Sequence, residues 1–470
     1  MRISQVMRLA RQYMVLGIIG AFITISLFLI GYFFVYKKLM KGNKKLKASK
    51  VGLWSVFFIY IIIVLGATIG DRISGFVNVN LHLFSSYKDA YNSFSPREWR
   101  NIILNILMFA PIGFMLPLIF KKCEKWYITY LTGFVSALFI ETLQLISKRG
   151  VFELDDIVNN TLGCIIGYGI VMIGKVIFRR KSTSQKSKGL TAIIYQLPLL
   201  ITVISFSVIF INYSKQELGN LSSTYIYRVD MSTIDVSNKL SFDNKLEKAY
   251  VYEAQVGSKE DATSLANHIL SKVNTRIDSA RINEYDDTIV FKSENGSYSL
   301  WVDYKGLTTW FSDSSQTGTE GKENLTYKEV QALLSNFDID LPEEADFKDN
   351  GKGEYSISMD MVKYGEKYLN GMLTCTIDKN GIVTNFKNNI ISCKPYKEYE
   401  ILSLKEAYDS ILAGEFKMLH VFGKNSKLEI IQASLTYKLD SKGFYQPVYD
   451  FKVNINGEVD NISIAALRNN

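Results

Sequence analysis

The sequence predicts a chain in two parts: a polytopic α-helical membrane domain of about six transmembrane helices, then a soluble α+β domain of repeated helix-on-antiparallel-sheet units. Three observations predict it. Apolar runs near 15–36, 51–69, 101–120, 127–146, 155–178 and 190–212 each approach the ~20 residues that cross a hydrocarbon core. No such run follows residue 213. Charge divides at the same place: residues 1–212 hold 25 Lys+Arg against 8 Asp+Glu, and the remainder 29 against 38. The net +8 of the 470-residue chain thus belongs to its membrane half. It reflects loops held at an anionic inner leaflet, and nucleic acid is not implied as a partner.

The basic loops orient the spans. "KKLMKGNKKLKASK" (37–50) carries seven lysines, "KKCEK" (121–125) three, and "RRKSTSQKSKG" (179–189) five basic residues. With these three loops cytoplasmic, six spans alternate without conflict in a cell membrane. The N-terminus, 70–100, 147–154 and everything after 213 then lie outside. Arg2, Arg8 and Arg11 oppose this, because they make an external tail basic. The first apolar run is too long for a signal peptide and lacks a small-residue cleavage site. The expected domains are 1–212 in the membrane, a linker at 213–225, and an extracytoplasmic α+β domain at 226–470.

In the outer domain one pattern recurs three times. Ser258-x-x-Asp261, Thr326-x-x-Glu329 and Ser403-x-x-Glu406 are capping boxes, each opening an amphipathic helix. β-rich runs such as "SYSLWVDY", "GMLTCTID" and "PVYDFKVNI" follow. Asn295-Gly296, Asn380-Gly381 and Asn456-Gly457 are hairpin signals. Cys375 and Cys393 are either a disulfide or two buried free thiols. Trp301, Trp310 and Tyr445 are either a binding face or core and cross-strand residues. His82, His268 and His420 have no metal-ligand spacing. Walker A, GxSxG and HExxH patterns are absent, so no cofactor or metal is implied. The third copy, with "SLKEAYDSIL" and "LTYKLDSKGFYQPVYDFKVNINGEV", resembles PepSY-like modules and the YycH/YycI-type extracytoplasmic regulators over about sixty residues. That resemblance implies a sensing or interaction role, with another envelope protein as partner, and no catalytic residues.

The stretch "ETLQLISKRGVFELDDIVNN" (141–160) concentrates polar groups at the outer ends of the spans. Glu141 lies about five residues short of its helix end, roughly 7–8 Å below the interface. Gln144 shares its face at i+3. Arg149 follows in the connector, then Asp155 and Asp156, with Asn159 and Asn160 at i+4 from each. Asn101 and Asn105 occupy the first turns of the third span. All nine fall at one depth, where polar groups in hydrocarbon need partners and should converge inward. Arg149 is the expected partner of Glu141 or Asp155. The alternative is a structural network that clasps the helices together. Gly163-x-x-x-Gly167 and Gly113 suggest close helix approach, and Pro111 and Pro117 a kinked third span.

These residues carry a second resemblance. "NIILNILMFAPIGFMLPLIF", "FVSALFIETLQ" and "RGVFELDDIVNNTLGCIIGYGI" are similar, in order and spacing, to the VanZ-like family of bacterial membrane proteins over about residues 50–178. The family pattern falls on Asn105, Phe109, Pro111, Gly113, Glu141, Gln144, Arg149, Asp155 or Asp156, Asn159 or Asn160, Thr161 and Gly163. The resemblance implies resistance to teicoplanin-type lipoglycopeptides in Gram-positive bacteria. On this reading the protein is not an enzyme: an outer-leaflet pocket, surrounded by membrane lipids, engages a lipid-linked cell-wall precursor or a lipoglycopeptide. One alternative is a hydrolase or transferase on a lipid head group, with Glu141 and Asp155 or Asp156 as an acid/base or metal-binding pair. No nucleophile or histidine base accompanies those carboxylates. A third reading is a receptor that senses through its outer domain.

Overall fold

The computed structural model describes residues 18–20, 22–23, 25–26, 29–39, 48–70, 76–178, 185–285, 287–316, 320–417 and 426–468. Arg2, Arg8, Arg11, Lys44, His420, residues 179–184 and part of the first apolar run lie outside them. The chain divides into two compact units, residues 1–90 with 95–216, and residues 91–94 with 217–470.

The first unit is helical: α1 (Ala48–Leu65), α2 (Ser85–Ser93), α3 (Pro96–Ile119), α4 (Trp126–Ser147), α5 (Leu154–Phe178) and α6 (Gln185–Lys215). Among the described residues five helical stretches are long and apolar enough to cross a membrane: Ser49–Thr68, Pro96–Ile119, Trp126–Ser147, Leu154–Phe178 and Ile193–Lys215. They account for five of the six expected spans. The third begins five residues earlier than its apolar run. The Ser95 side chain accepts from the Arg97 N–H at 3.2 Å and Pro96 takes the first helical position, where its missing N–H costs nothing. Pro111 and Pro117 both sit inside this continuous helix. The Tyr60 hydroxyl donates to the Met108 carbonyl, one residue from the carbonyl that Pro111 leaves without an N–H.

Glycines set the closest helix contact. A Cβ on Gly113 of α3 would come within 1.8 Å of the Cys164 carbonyl oxygen. On Gly163 and Gly167 of α5 it would come within 1.9 Å of that of Ile106 and 1.8 Å of that of Ala110. No side chain fits, so the backbones of α3 and α5 touch, as the small-xxx-small spacing predicts. Helix α6 runs back along them. Tyr195 near its start packs on Tyr168, with centroids 5.9 Å apart, while Phe206 and Phe210 lie 5.8 and 5.2 Å from the Trp99 ring. The connector before α5 is a strand, β2 (Arg149–Glu153), paired in parallel with β1 (Phe76–Asn80).

Among the described residues the second unit holds a 14-stranded sheet with three α-helices, α7 (Lys259–Lys272), α8 (Tyr327–Ser335) and α9 (Leu404–Leu412). All three capping boxes form as read. Gly296, Gly381 and Gly457 turn hairpins with φ of 76, 80 and 100°, values a side chain resists. Strand β14 (Lys427–Leu439) pairs antiparallel with β15 (Phe444–Ile455) and in parallel with β3 (Asp235–Asn238). The three helices serve two cores. Helices α7 and α8 share one that includes Phe291, Phe311, Leu373 and Phe386. Helix α9 covers another that includes Leu428, Phe451 and Ile462. The nine-residue α8 buries only Val330 and Leu334 fully, too little for a core of its own. Residues at the start of this unit are held to the β14–β15 turn: the Gly219 N–H donates to the Asp440 carboxylate at 2.6 Å and Asn220 N–H to Ser441 Oγ at 2.8 Å.

One expectation resolves fully and one in part: the two cysteines are not bonded, and Tyr445 is buried while Trp301 and Trp310 stay 39 and 44% exposed. Cys375 and Cys393 are buried free thiols, not a disulfide. Cys393 stands opposite Tyr368, and Cys375 lies seven residues further along that strand, roughly 24 Å away at ~3.4 Å per residue; a disulfide needs Cα atoms about 4.4–6.8 Å apart. Burial pushes both thiols up to about 12. Tyr445 is a core residue, and Trp301 stacks across strands on Trp310, 6.0 Å between centroids.

Candidate functional site

The polar residues of 101–160 gather at one end of the helix bundle. That end holds the starts of α3 and α5, the close of α4, the turn after α1, and α2. Glu141, Gln144, Asp155, Asn159 and Asn160 are at most 2 % exposed. Asn105, Arg149 and Asp156 are half-buried, while Asn101 is exposed and stands outside the buried group. Lys148 ends α4 in the left-handed region at φ 56°. This turns the chain into β2 and from there into α5.

Each carboxylate has its own task. Asp155 accepts from the backbone N–H groups of Phe84 at 2.6 Å and Ser86 at 2.8 Å, and from the Ser85 hydroxyl at 3.4 Å. It therefore caps the N-terminus of α2 from a different helix, where exposed N–H groups and the helix dipole both favour an anion. Of the two partners expected for Arg149, Glu141 or Asp155, the second has its carboxylate taken up by these donors. Asp156 accepts from Asn105 Nδ2 at 2.6 Å, joining α5 to α3. Glu141 accepts from the Glu153 N–H at 3.2 Å and so holds the connector that precedes α5. Gln144 Nε2 donates to the Thr68 carbonyl at 3.2 Å. The Tyr87 hydroxyl donates to Asn159 Oδ1. Burial first, then the negative charges of Asp155 and Asp156, pushes that phenol up to about 12, so it remains a donor at neutral pH.

Among the described residues, three polar atoms in this group have no hydrogen-bond partner: Gln144 Oε1, Asn159 Nδ2 and Asn160 Oδ1. Two are acceptors and one is a donor, on side chains closed off from water. Buried polar atoms are nearly always satisfied, and an exception calls for a ligand, an ion or water. The arrangement is suited to hydrogen-bonding a polar group. Among the described residues no three His, Cys, Asp or Glu side chains stand close enough to hold a metal ion.

Thr68, Ser85, Ser86 and Tyr87 were not singled out from the sequence. A signal was available, since two serines open the polar nine-residue stretch that becomes α2. Nothing local announces that its N-terminus is capped from seventy residues away.

Residues 51–179 match the family model described as VanZ/LLP1, and this part of the chain is a VanZ-like domain. It contains every residue of the cluster. No curated protein matches the chain. An uncharacterized protein from Eubacterium rectale overlays with a TM-score of 0.28 at 11% identity, covering 52% of this chain and 92% of its own. The YpeB C-terminal domain from Bacillus megaterium overlays with a TM-score of 0.22 at 11% identity, covering 46% of this chain and 100% of its own. Both overlays are too loose to identify a fold.

Proposed function

We propose that this VanZ-like cell-envelope protein uses the polar end of its helix bundle to engage a lipid-linked or lipidated molecule at the outer leaflet, and thereby contributes to resistance against teicoplanin-type lipoglycopeptides. The observation that carries the reading is the set of unpartnered atoms on Gln144, Asn159 and Asn160. Neighbouring groups of the cluster are paired at 2.6–3.2 Å. A network that only clasped helices together would have reason to satisfy these three as well. Orientation rests on the basic loops. Lys121, Lys122 and Lys125 lie between α3 and α4, at the opposite end of those helices from the cluster, and the positive-inside tendency makes that end cytoplasmic. Helix α6 brings Phe206 and Phe210 to Trp99 at the cluster end, so the chain after Lys215 emerges extracytoplasmically.

Asn160→Leu and Glu141→Gln test the reading. Replacing an unpartnered buried amide by an isosteric apolar group should not lower the amount of protein in the membrane, and is neutral or stabilising by the usual account of such groups. Susceptibility to teicoplanin and to vancomycin is measured beside that amount, in cells expressing each form. A lost teicoplanin effect at normal abundance is the expected result. Full function in both variants at normal abundance would leave the cluster a structural clasp. An impermeant thiol reagent checks the orientation: Asp230→Cys should be labelled in intact cells and Lys44→Cys protected.

A further inference from the structure

The segment between β1 and α2 is apolar and turned outward. Val79, Leu81, Leu83 and Phe84 are each 47–63% exposed, four large apolar side chains within six residues. Such a patch on a water-facing loop is unusual. Its position is well defined, because the Phe84 N–H donates to Asp155 at 2.6 Å and Asp155 lies in the first turn of the span Leu154–Phe178. The loop therefore sits at the level where that span meets the bilayer boundary.

Part of its backbone is hydrogen-bonded. The His82 N–H donates to Asn80 Oδ1 at 3.1 Å, the His82 carbonyl accepts from Ser85 at 3.3 Å, and the Phe84 carbonyl accepts from Lys88 at 3.0 Å. Asn80 Nδ2 donates to Ser85 Oγ at 2.9 Å, tying the two ends of the loop together. Each such bond lowers the cost of bringing backbone close to hydrocarbon. Phe84 holds φ 63°, a region a bulky residue rarely occupies, and its bond to Asp155 helps to keep it there. His82 is the one polar side chain between Leu81 and Phe84; an imidazole has an apolar body and can keep its polar edge toward the head groups.

We infer that residues 79–84 form a membrane-inserting loop, whose apolar side chains enter the leaflet on the face where Asp155 lies. The partner of this surface is the bilayer hydrocarbon itself. The inference goes beyond the ligand reading and is independent of it.

The test uses the full chain in liposomes, with a nitroxide attached to Leu83→Cys and separately to Leu81→Cys. The four native cysteines are buried, and unsubstituted protein taken through the same labelling supplies the blank. Collision rates with oxygen, which concentrates in hydrocarbon, are compared with those for a water-soluble nickel chelate. Leu131→Cys, exposed on a span, marks the lipid limit, and Val459→Cys, exposed on the sheet domain, marks the water limit; both native residues are 61% exposed. The loop labels should give oxygen-to-nickel ratios nearer the Leu131→Cys value. Ratios nearer the Val459→Cys value at both positions would overturn the inference.

Discussion

Replacing Asp155 by Asn probes the joint on which the polar end of the bundle depends. The carboxylate receives two backbone N–H groups, one on each oxygen, at 2.6 and 2.8 Å, with the Ser85 hydroxyl added at 3.4 Å. An amide of the same shape has one acceptor oxygen, and its NH₂ would face a backbone donor. One N–H is then buried without a partner, at a cost of about 1–3 kcal/mol. Loss of the negative charge at the start of α2 removes about 0.3–1 kcal/mol more, up to ~2 where partly buried. The sum, about 1–5 kcal/mol, is a local destabilisation of α2 and of the loop before it. At 1.4 kcal/mol per factor of ten it corresponds to roughly ten- to several-thousandfold faster amide exchange. The assay is hydrogen exchange on the full chain in a bilayer mimetic, read at Phe84, Ser86 and Lys88. Peptides from α3 and α5 should keep their protection, because the packing of Gly113, Gly163 and Gly167 is untouched. Unchanged exchange at Phe84 and Ser86 would refute the capping argument.

Other expected outcomes follow from the same structure. Gly163→Leu should prevent stable accumulation in the membrane, because even its Cβ would meet the Ile106 carbonyl oxygen at 1.9 Å; Gly174→Ala on the same helix meets nothing within 4 Å and should behave as the native chain. Denatured, unreduced protein should titrate four free thiols per chain, two fewer if Cys375 and Cys393 were bonded. Native protein should react slowly at those two sites at pH 8, well below the value near 12 at which their thiolates form. Ser403→Ala in residues 217–470, expressed alone, should lower stability by about 1 kcal/mol and the melting temperature by about 2–4 °C. The reciprocal arm of that box is pH-dependent. The Ser403 N–H, then Arg468, holds the Glu406 carboxyl below its usual 4.5. Its contribution is thus complete above pH 4.5 and fades as pH falls through the lowered value. The stability difference between Glu406→Gln and native protein should narrow there, and a gap that does not change with pH would count against the reciprocal bond.

What the sequence determined by itself is what depends on neighbours along the chain. Capping boxes at Ser258, Thr326 and Ser403 and hairpins at the three Asn-Gly pairs follow from local hydrogen bonding and backbone preference, and each forms where it was read, while five spans form within a few residues of their apolar runs. The convergence of Glu141, Gln144, Asp155, Asn159 and Asn160 was also legible. Helical spacing sets the shared faces, and hydrocarbon penalises polar groups that stay apart. Tertiary structure alone decided who partners whom. Asp155 caps a helix seventy residues away, Tyr87 reaches Asn159, and β1 finds the connector as a parallel strand. Such pairings depend on which loop folds over which span, and no local pattern encodes that. The two cysteines give the same lesson in the sheet. Eighteen positions apart in sequence, they are held far apart by strand register, because each extended residue adds about 3.4 Å.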